Sequence, residues 1–161
     1  WVMSVVGIVT LPALWMALVQ LHARSPWVLL AAMGLVWIAD TAAFFAGRRF
    51  GRHKLAPRVS PGKSWEGAAA STVAGIVFGA IFLPLTIADM PVWIAALIAL
   101  VANAAGQIGD LAESALKRGA GVKDSGTMLP GHGGMLDRLD ISLFAMPVVY
   151  TLVMAIAEAR R

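Results

Sequence analysis

Five apolar runs, each close to the length that crosses a lipid bilayer, constrain this chain more than any other feature. They cover residues 2–21, 27–47, 68–88, 92–112 and 141–157. A helix needs about 20 apolar residues to span a hydrocarbon core of about 30 Å, and in lipid each backbone polar group must be satisfied within the segment. The runs therefore predict an all-α, polytopic integral membrane protein with about five transmembrane helices. Charged residues make up 14% of the chain, against about 25% in soluble domains. Cysteine is absent, which excludes disulfide frameworks, thiolate metal sites and a cysteine nucleophile. The chain opens at Trp1 inside an apolar run, with neither an initiator methionine nor a basic leader. We therefore expect residues 1–161 to form a single transmembrane domain, the C-terminal portion of a longer chain with further N-terminal helices.

The charges are distributed unevenly. Counting alternate sides, one face carries Arg48, Arg49, Arg52, Lys54, Arg58 and Lys63 in a first long loop, and Lys117, Arg118, Lys123 and Arg138 in a second. The other face has Arg24 and the terminal Arg160 and Arg161, of which the terminal pair argues the other way. The positive-inside rule makes the two long polar loops cytoplasmic, as in a multi-pass protein of the cell inner membrane. No internal repeat is visible, whereas an inverted-repeat transporter is expected to show one.

Within the fourth run, Asn103, Gln107, Asp110, Ser114 and Lys117 follow spacings of four, three, four and three. At 3.6 residues per turn they form one stripe climbing about 21 Å, which must face protein or water. Asn103 and Gln107 can bridge helices or serve function. Asp110, an ionisable group within a span, is a functional candidate, and Glu113 lies on the stripe's flank. Asp40 in the second run is either a neighbour of the chemistry or the partner of an arginine. Ser71, Gly75 and Gly79 form a small-residue ridge that can pack within one chain or between two copies, so a homodimer is left open.

In the first loop, RVSPGKSWEG (58–67) joins glycine, lysine and hydroxyls, a combination that suits either a phosphate cradle or a basic loop resting on anionic headgroups. A Walker A motif is excluded because Pro57 stands where its first glycine belongs. From Asp110 to Asp140 the chain holds Asp110, Glu113, Asp124, Asp137 and Asp140, four basic residues, His132 and six glycines. Carboxylates that hold a divalent cation, beside cations that neutralise phosphate, are what phosphoryl or nucleotidyl transfer requires. Leu136 and Leu139 among the acids argue against a merely solvated linker. His132 has no second histidine at zinc spacing. GxSxG is absent, and no stacking aromatics interleave the basic residues, so no nucleic acid is expected.

SALKRGAGVKDSGTMLPGHGGMLDRLD (114–140) resembles the signature of the phosphatidate cytidylyltransferases, the CDP-diacylglycerol synthases; SPGKSWEG (60–67) and GDLAES (109–114) agree with the same family. The resemblance covers about 40–140. It implies a single transmembrane catalytic domain that condenses CTP with phosphatidic acid to give CDP-diacylglycerol and pyrophosphate, with membrane lipids around it. It implies Mg²⁺, with or without a monovalent cation, on Asp110 and Asp137. Lys117, Arg118, Lys123 and Arg138 would hold triphosphate or lipid phosphate, and Ser60, Lys63, Ser64, Glu66 and Ser114 would bind substrate. Asp124, His132 and Asp140 complete the catalytic motif. The departure is Ile141, where the family continues with serine; an inserted residue turns a following helix by about 100° and leaves the fifth span's register open. Three rivals remain: a CTP-dependent kinase of polyprenol or another lipid alcohol, a transporter or channel with Asp40, Gln107 and Asp110 along its pore, and a noncatalytic assembly subunit.

Overall fold

The computed structural model describes residues 2–122 and 136–159, with side chains described at 7–122, 139 and 141–159. Five helices, α1 (Val2–Arg24), α2 (Pro26–Phe50), α3 (Trp65–Thr86), α4 (Val92–Gly119) and α5 (Leu136–Ala159), carry the fold. Between α2 and α3 lie two short strands, β1 (Lys54–Ala56) and β2 (Ser60–Ser64). Among the described residues, α2, α3, α4 and the Ile141–Ala159 part of α5 are long and apolar enough to cross a membrane. The first expected span coincides with α1, 23 residues long. The protein is an all-α, multi-pass membrane protein.

The helices end where capping groups stand rather than where apolar character fades. Ser25 caps α2 through a bond from the Trp27 backbone N–H, and Pro26 occupies the first helical position, where its missing N–H costs nothing. Ser64 accepts from the Gly67 N–H at 3.2 Å, so α3 starts at Trp65, three residues before the apolar run at Ala68. At the end of α4, Gly121 takes φ of 73° and its N–H reaches the Arg118 carbonyl. This left-handed cap lets α4 run seven residues past Ala112, keeping Asp110, Glu113, Ser114 and Lys117 on one rigid helix. Much of what reads as polar loop in the sequence is therefore helix.

The remainder of the first loop is a hairpin. β1 and β2 pair antiparallel, with Lys54 opposite Ser64 and Ala56 opposite Ser60. Pro57 favours the connecting turn, closed by the Val59 N–H on the Ala56 carbonyl at 3.1 Å, and the Trp65 N–H bonds the His53 carbonyl at the hairpin base. The hairpin and the end of α4 lie at one end of the bundle, where the Arg118 guanidinium donates to the Val59 carbonyl. Arg24, the α3–α4 turn at residues 87–90 and the C-terminal part of α5 meet at the other.

The small-residue ridge is used inside the chain. A Cβ on Gly79 would lie 2.5 Å from the Ala99 methyl and 3.0 Å from Leu35, and one on Gly75 would touch Ala39 and Asn103. Ser71, Gly75 and Gly79 thus seat α3 between α2 and α4. On the far side of α4, Gly106 meets Ile141 and Gly109 meets the Phe144 ring. The buried core, including Leu21, Leu35, Leu83, Met146 and Val149, is ringed by exposed Trp15, Trp37, Phe45, Trp93 and Ile108, an outer surface suited to lipid. α5 is continuous from Leu136 through Ile141 to Ala159, and Ile141 packs on α4 against Gly106.

Candidate active site

A cavity of about 590 Å³ opens beneath the hairpin, bounded by α2, α3, α4 and α5. Its polar lining comes from Asp40 and Arg48 on α2, Lys54, Ser60, Lys63 and Ser64 on the hairpin, Ser71 on α3, and Asn103, Gln107 and Asp110 on α4. Leu35, Val36, Ala39, Phe44, Ile141 and Ala145 supply an apolar portion deeper in the bundle.

Close backbone approach builds this chamber. At Gly67 a Cβ would sit 2.9 Å from the Ala43 carbonyl, and at Gly51 it would meet the Gly47 carbonyl and lie 2.8 Å from the Ser64 hydroxyl. Only glycine lets α2 and α3 touch here, and that contact directs β2 over the cavity toward α4. Lys63 then reaches across from β2 to form an ion pair with Asp110, the two side chains 26% and 16% exposed. Asp40 lies close enough to feel the negative charge of Asp110 and the positive charge of Lys63. Two carboxylates, one shared ammonium and two further cations, Arg48 and Lys54, therefore face one space.

Below this cluster, α3 and α4 are tied together. The Asn103 amide donates to the Ser71 hydroxyl at 2.9 Å. Gln107 donates to the Thr72 hydroxyl at 3.2 Å and to the Ala68 carbonyl at 3.3 Å. Thr72 stands 3.1 Å from the Asn103 carbonyl oxygen. Both readings of Asn103 and Gln107 thus have a basis: each bridges two helices and each lines the cavity.

Of the residues expected to act on substrate, the structure brings Ser60, Lys63, Ser64 and Asp110 together. Ser64 is also the N-cap of α3. Glu66 lies outside the cavity, where its carboxylate accepts from the His53 backbone N–H and sits 2.7 Å from the His53 ring nitrogen. The Lys117 ammonium is buried against Glu113 at 3.1 Å, one helical turn away on α4. Arg118 bonds the Val59 and Val122 carbonyls, and Ser114 is half-buried and does not line the cavity. Lys123, Asp124 and His132 lie outside the described residues; for Asp137, Arg138 and Asp140 the described part is the helical backbone of the first turns of α5.

Arg48 and Lys54 enter the site although in the sequence they count only as loop charge. One signal was present: Asp40, Phe44, Gly47, Arg48 and Gly51 recur at helical spacing, and all five line the cavity. For Lys54 no such periodicity exists; only the hairpin register, opposite Ser64, delivers it.

A model of the cytidylyltransferase family matches residues 1–156. The chain belongs to this family. Among cytidylyltransferase relatives, the phosphatidate cytidylyltransferase of Bacillus subtilis is 46% identical over 119 residues, covering 74% of this chain and 44% of the relative. Those of Haemophilus influenzae and Staphylococcus haemolyticus are 44% and 40% identical, covering 70% and 78% of this chain and 41% and 48% of theirs. The chain thus spans less than half the length of these cytidylyltransferases.

A divalent cation suits the donors present. Among the described residues no three His, Cys, Asp or Glu side chains form a metal cluster. Mg²⁺, however, is commonly held by one or two carboxylates together with substrate phosphates and water. Asp40 and Asp110, hard oxygen donors on facing helices at a polar cavity, fit that requirement.

Proposed function

We propose that this cavity binds CTP and the headgroup of phosphatidic acid, and that the protein transfers the cytidylyl group to give CDP-diacylglycerol and pyrophosphate. The observation that carries this reading is the Lys63–Asp110 pair. It joins the SPGKSWEG segment to the GDLAES segment inside a cavity lined by cations and carboxylates at its polar end and by apolar side chains below. A nucleotide reaching the hairpin from water and a lipid phosphate at the membrane surface could meet there. We place this end at the cytoplasmic face of the inner membrane, where the basic loops belong.

The reaction needs positioning and charge neutralisation more than proton transfer. A phosphatidate oxygen, already anionic, attacks the α-phosphorus of CTP in line. The new oxygen–phosphorus bond forms as the bond to the α,β-bridging oxygen breaks, and pyrophosphate leaves with that electron pair. Arg48, Lys54 and Lys63 offset the charge of the phosphates on the hairpin side, in a partly dehydrated space where such contacts are strong. Asp110 and Asp137 would hold Mg²⁺, and Asp40 faces the same cavity as Asp110. Bound there, the ion would supply Lewis-acid stabilisation of phosphate charge. Ser60 and Gly62 offer a hydroxyl and an unobstructed backbone near the same phosphates.

The test is incubation of the full-length protein with CTP, Mg²⁺ and phosphatidic acid, assayed for both products. Pyrophosphate with a cytidylylated lipid is the expected result. CDP with a newly phosphorylated lipid alcohol would assign the site to a CTP-dependent kinase. Solute flux in proteoliposomes lacking CTP would assign it to transport, and failure to bind CTP would leave an assembly subunit.

A further inference from the structure

Outside the reaction cavity, on the other side of the α2–α3 junction, lies a second hollow of about 410 Å³. It is lined by Arg49, Phe50, Gly51, Arg52, His53 and Glu66. Arg49 and Arg52 are exposed, and neither forms an ion pair among the described residues. The Arg49 guanidinium carbon stands 5.7 Å from the Phe50 ring centroid, a cation–π distance. Glu66, in the same lining, is engaged by the backbone and ring of His53 rather than by either arginine. Phe50 and Trp65, 61% and 62% exposed, stand at the level where apolar helix gives way to hairpin, the place of interfacial aromatic anchors.

A second observation lies on the same helix faces. Between α2 and α3 on the outer surface runs a wholly apolar groove that includes Ile38, Ala69, Ala70, Val73, Ala74 and Val77. Residues 66, 70, 73 and 77 recur at helical spacing, so the groove starts directly beneath Glu66; on α2, Ile38 lies three turns below Arg49 on one side of the helix. From Glu66 to Val77 the helix descends roughly 16 Å, about the depth of one leaflet of hydrocarbon. Guanidinium groups above an alanine-lined apolar groove complement one kind of ligand, a lipid with an anionic phosphate head and an acyl tail. The glycine-tight wall of Gly47, Gly51, Ser64 and Gly67 separates this groove from the reaction cavity.

We propose that Arg49 and Arg52 bind the headgroup phosphate of an anionic bilayer phospholipid whose acyl chain lies in the α2–α3 groove, at a site separate from the reaction cavity. The lipid braces the junction that positions the hairpin, so the site couples bilayer charge to the geometry of Lys63.

The test is native mass spectrometry of the detergent-solubilised full-length protein with phosphatidylglycerol, phosphatidic acid or phosphatidylcholine, which requires neither CTP nor turnover. The unaltered protein is expected to retain phosphatidylglycerol over phosphatidylcholine. Arg49→Gln with Arg52→Gln should weaken that binding by about 25-fold, near a factor of five per arginine, while Arg49→Lys with Arg52→Lys should keep most of it. Val73→Trp, filling the groove, should weaken it without touching a charge. Equal phosphatidylglycerol retention by the unaltered and Gln proteins would overturn the proposal. So would displacement by millimolar inorganic phosphate, which would mark a free-anion site. Loss confined to phosphatidic acid would mark a substrate route instead and equally overturn it.

Discussion

Two ion pairs sit one helical turn apart on α4 and differ in almost everything else. Lys63–Asp110 joins two elements distant in sequence, faces a cavity and is partly open to solvent. Glu113–Lys117 lies within one helix at i,i+4, is buried with side chains 7% and 10% exposed, and borders no part of that cavity. A charge pair shut away from water is costly to break, because the surviving partner keeps its desolvation penalty. A pair at a cavity edge can exchange partners with ligand at little cost. The same alternation of acids and bases therefore places one pair at the cavity and the other away from it, and each pair makes its own kind of prediction.

The largest expected effect is on the buried pair. Lys117→Ala removes a buried ammonium that Glu113 faces at 3.1 Å and should lower stability by about 3 kcal/mol, read as a lower unfolding midpoint in detergent micelles. The family resemblance sets Lys117 among the phosphate ligands, so this variant distinguishes a structural from a catalytic lysine. A protein with an unaltered midpoint and no turnover would move Lys117 into the site.

Asp110→Asn should do the reverse. The amide keeps the shape and can still accept a bond from Lys63, so the midpoint should shift little. Turnover should fall by roughly 100-fold or more, the scale on which loss of one preorganised electrostatic group acts. Near-normal turnover with Mg²⁺ would remove Asp110 from the ligand set.

Lys63→Ala comes next, and its two consequences have opposite signs. Removing the ammonium should cut kcat/KM for CTP by about tenfold, a charge-assisted phosphate contact being worth about 1.5–3 kcal/mol at most. It also frees Asp110 from a competing cation, so Mg²⁺ should bind more tightly in the absence of nucleotide. Calorimetric titration with Mg²⁺ alone checks the second point. Unchanged CTP kinetics together with unchanged Mg²⁺ affinity would reduce the pair to a hairpin latch.

The contrast between the pairs also shows what the sequence could reveal. The apolar runs mark α2 to α5 because the bilayer sets their length, and the polar stripe marks Asp110 because no lipid-facing helix would carry it. Neither signal separates Asp110 from Lys117, which lie seven residues apart on one face. What separates them is the hairpin, whose Lys63 reaches the first and not the second. Its course depends on glycine contacts at positions 47, 51 and 67; the first two share a helical spacing, but no periodicity pairs them with Gly67 across the hairpin. The same contacts explain why Glu66, inside a motif that reads as one unit, turns away to His53 while Lys63 and Ser64 line the cavity.

The smallest effect sharpens the part of α4 between bundle and site. Gln107 both lines the cavity and donates to Thr72, whereas Thr72 does not line it. Thr72→Val keeps the side-chain shape and removes the hydroxyl, so it loosens Gln107 without placing a new group in the chamber. Polar contacts of this kind in membrane helices are worth about 0.6 kcal/mol on average and no more than about 1.7. A helix-bridging role for Gln107 predicts a midpoint loss of that size with turnover within twofold. If Gln107 instead contacts substrate, loosening it should lower kcat/KM more than stability, and a tenfold fall in turnover beside a stable fold would extend the site one turn deeper along α4.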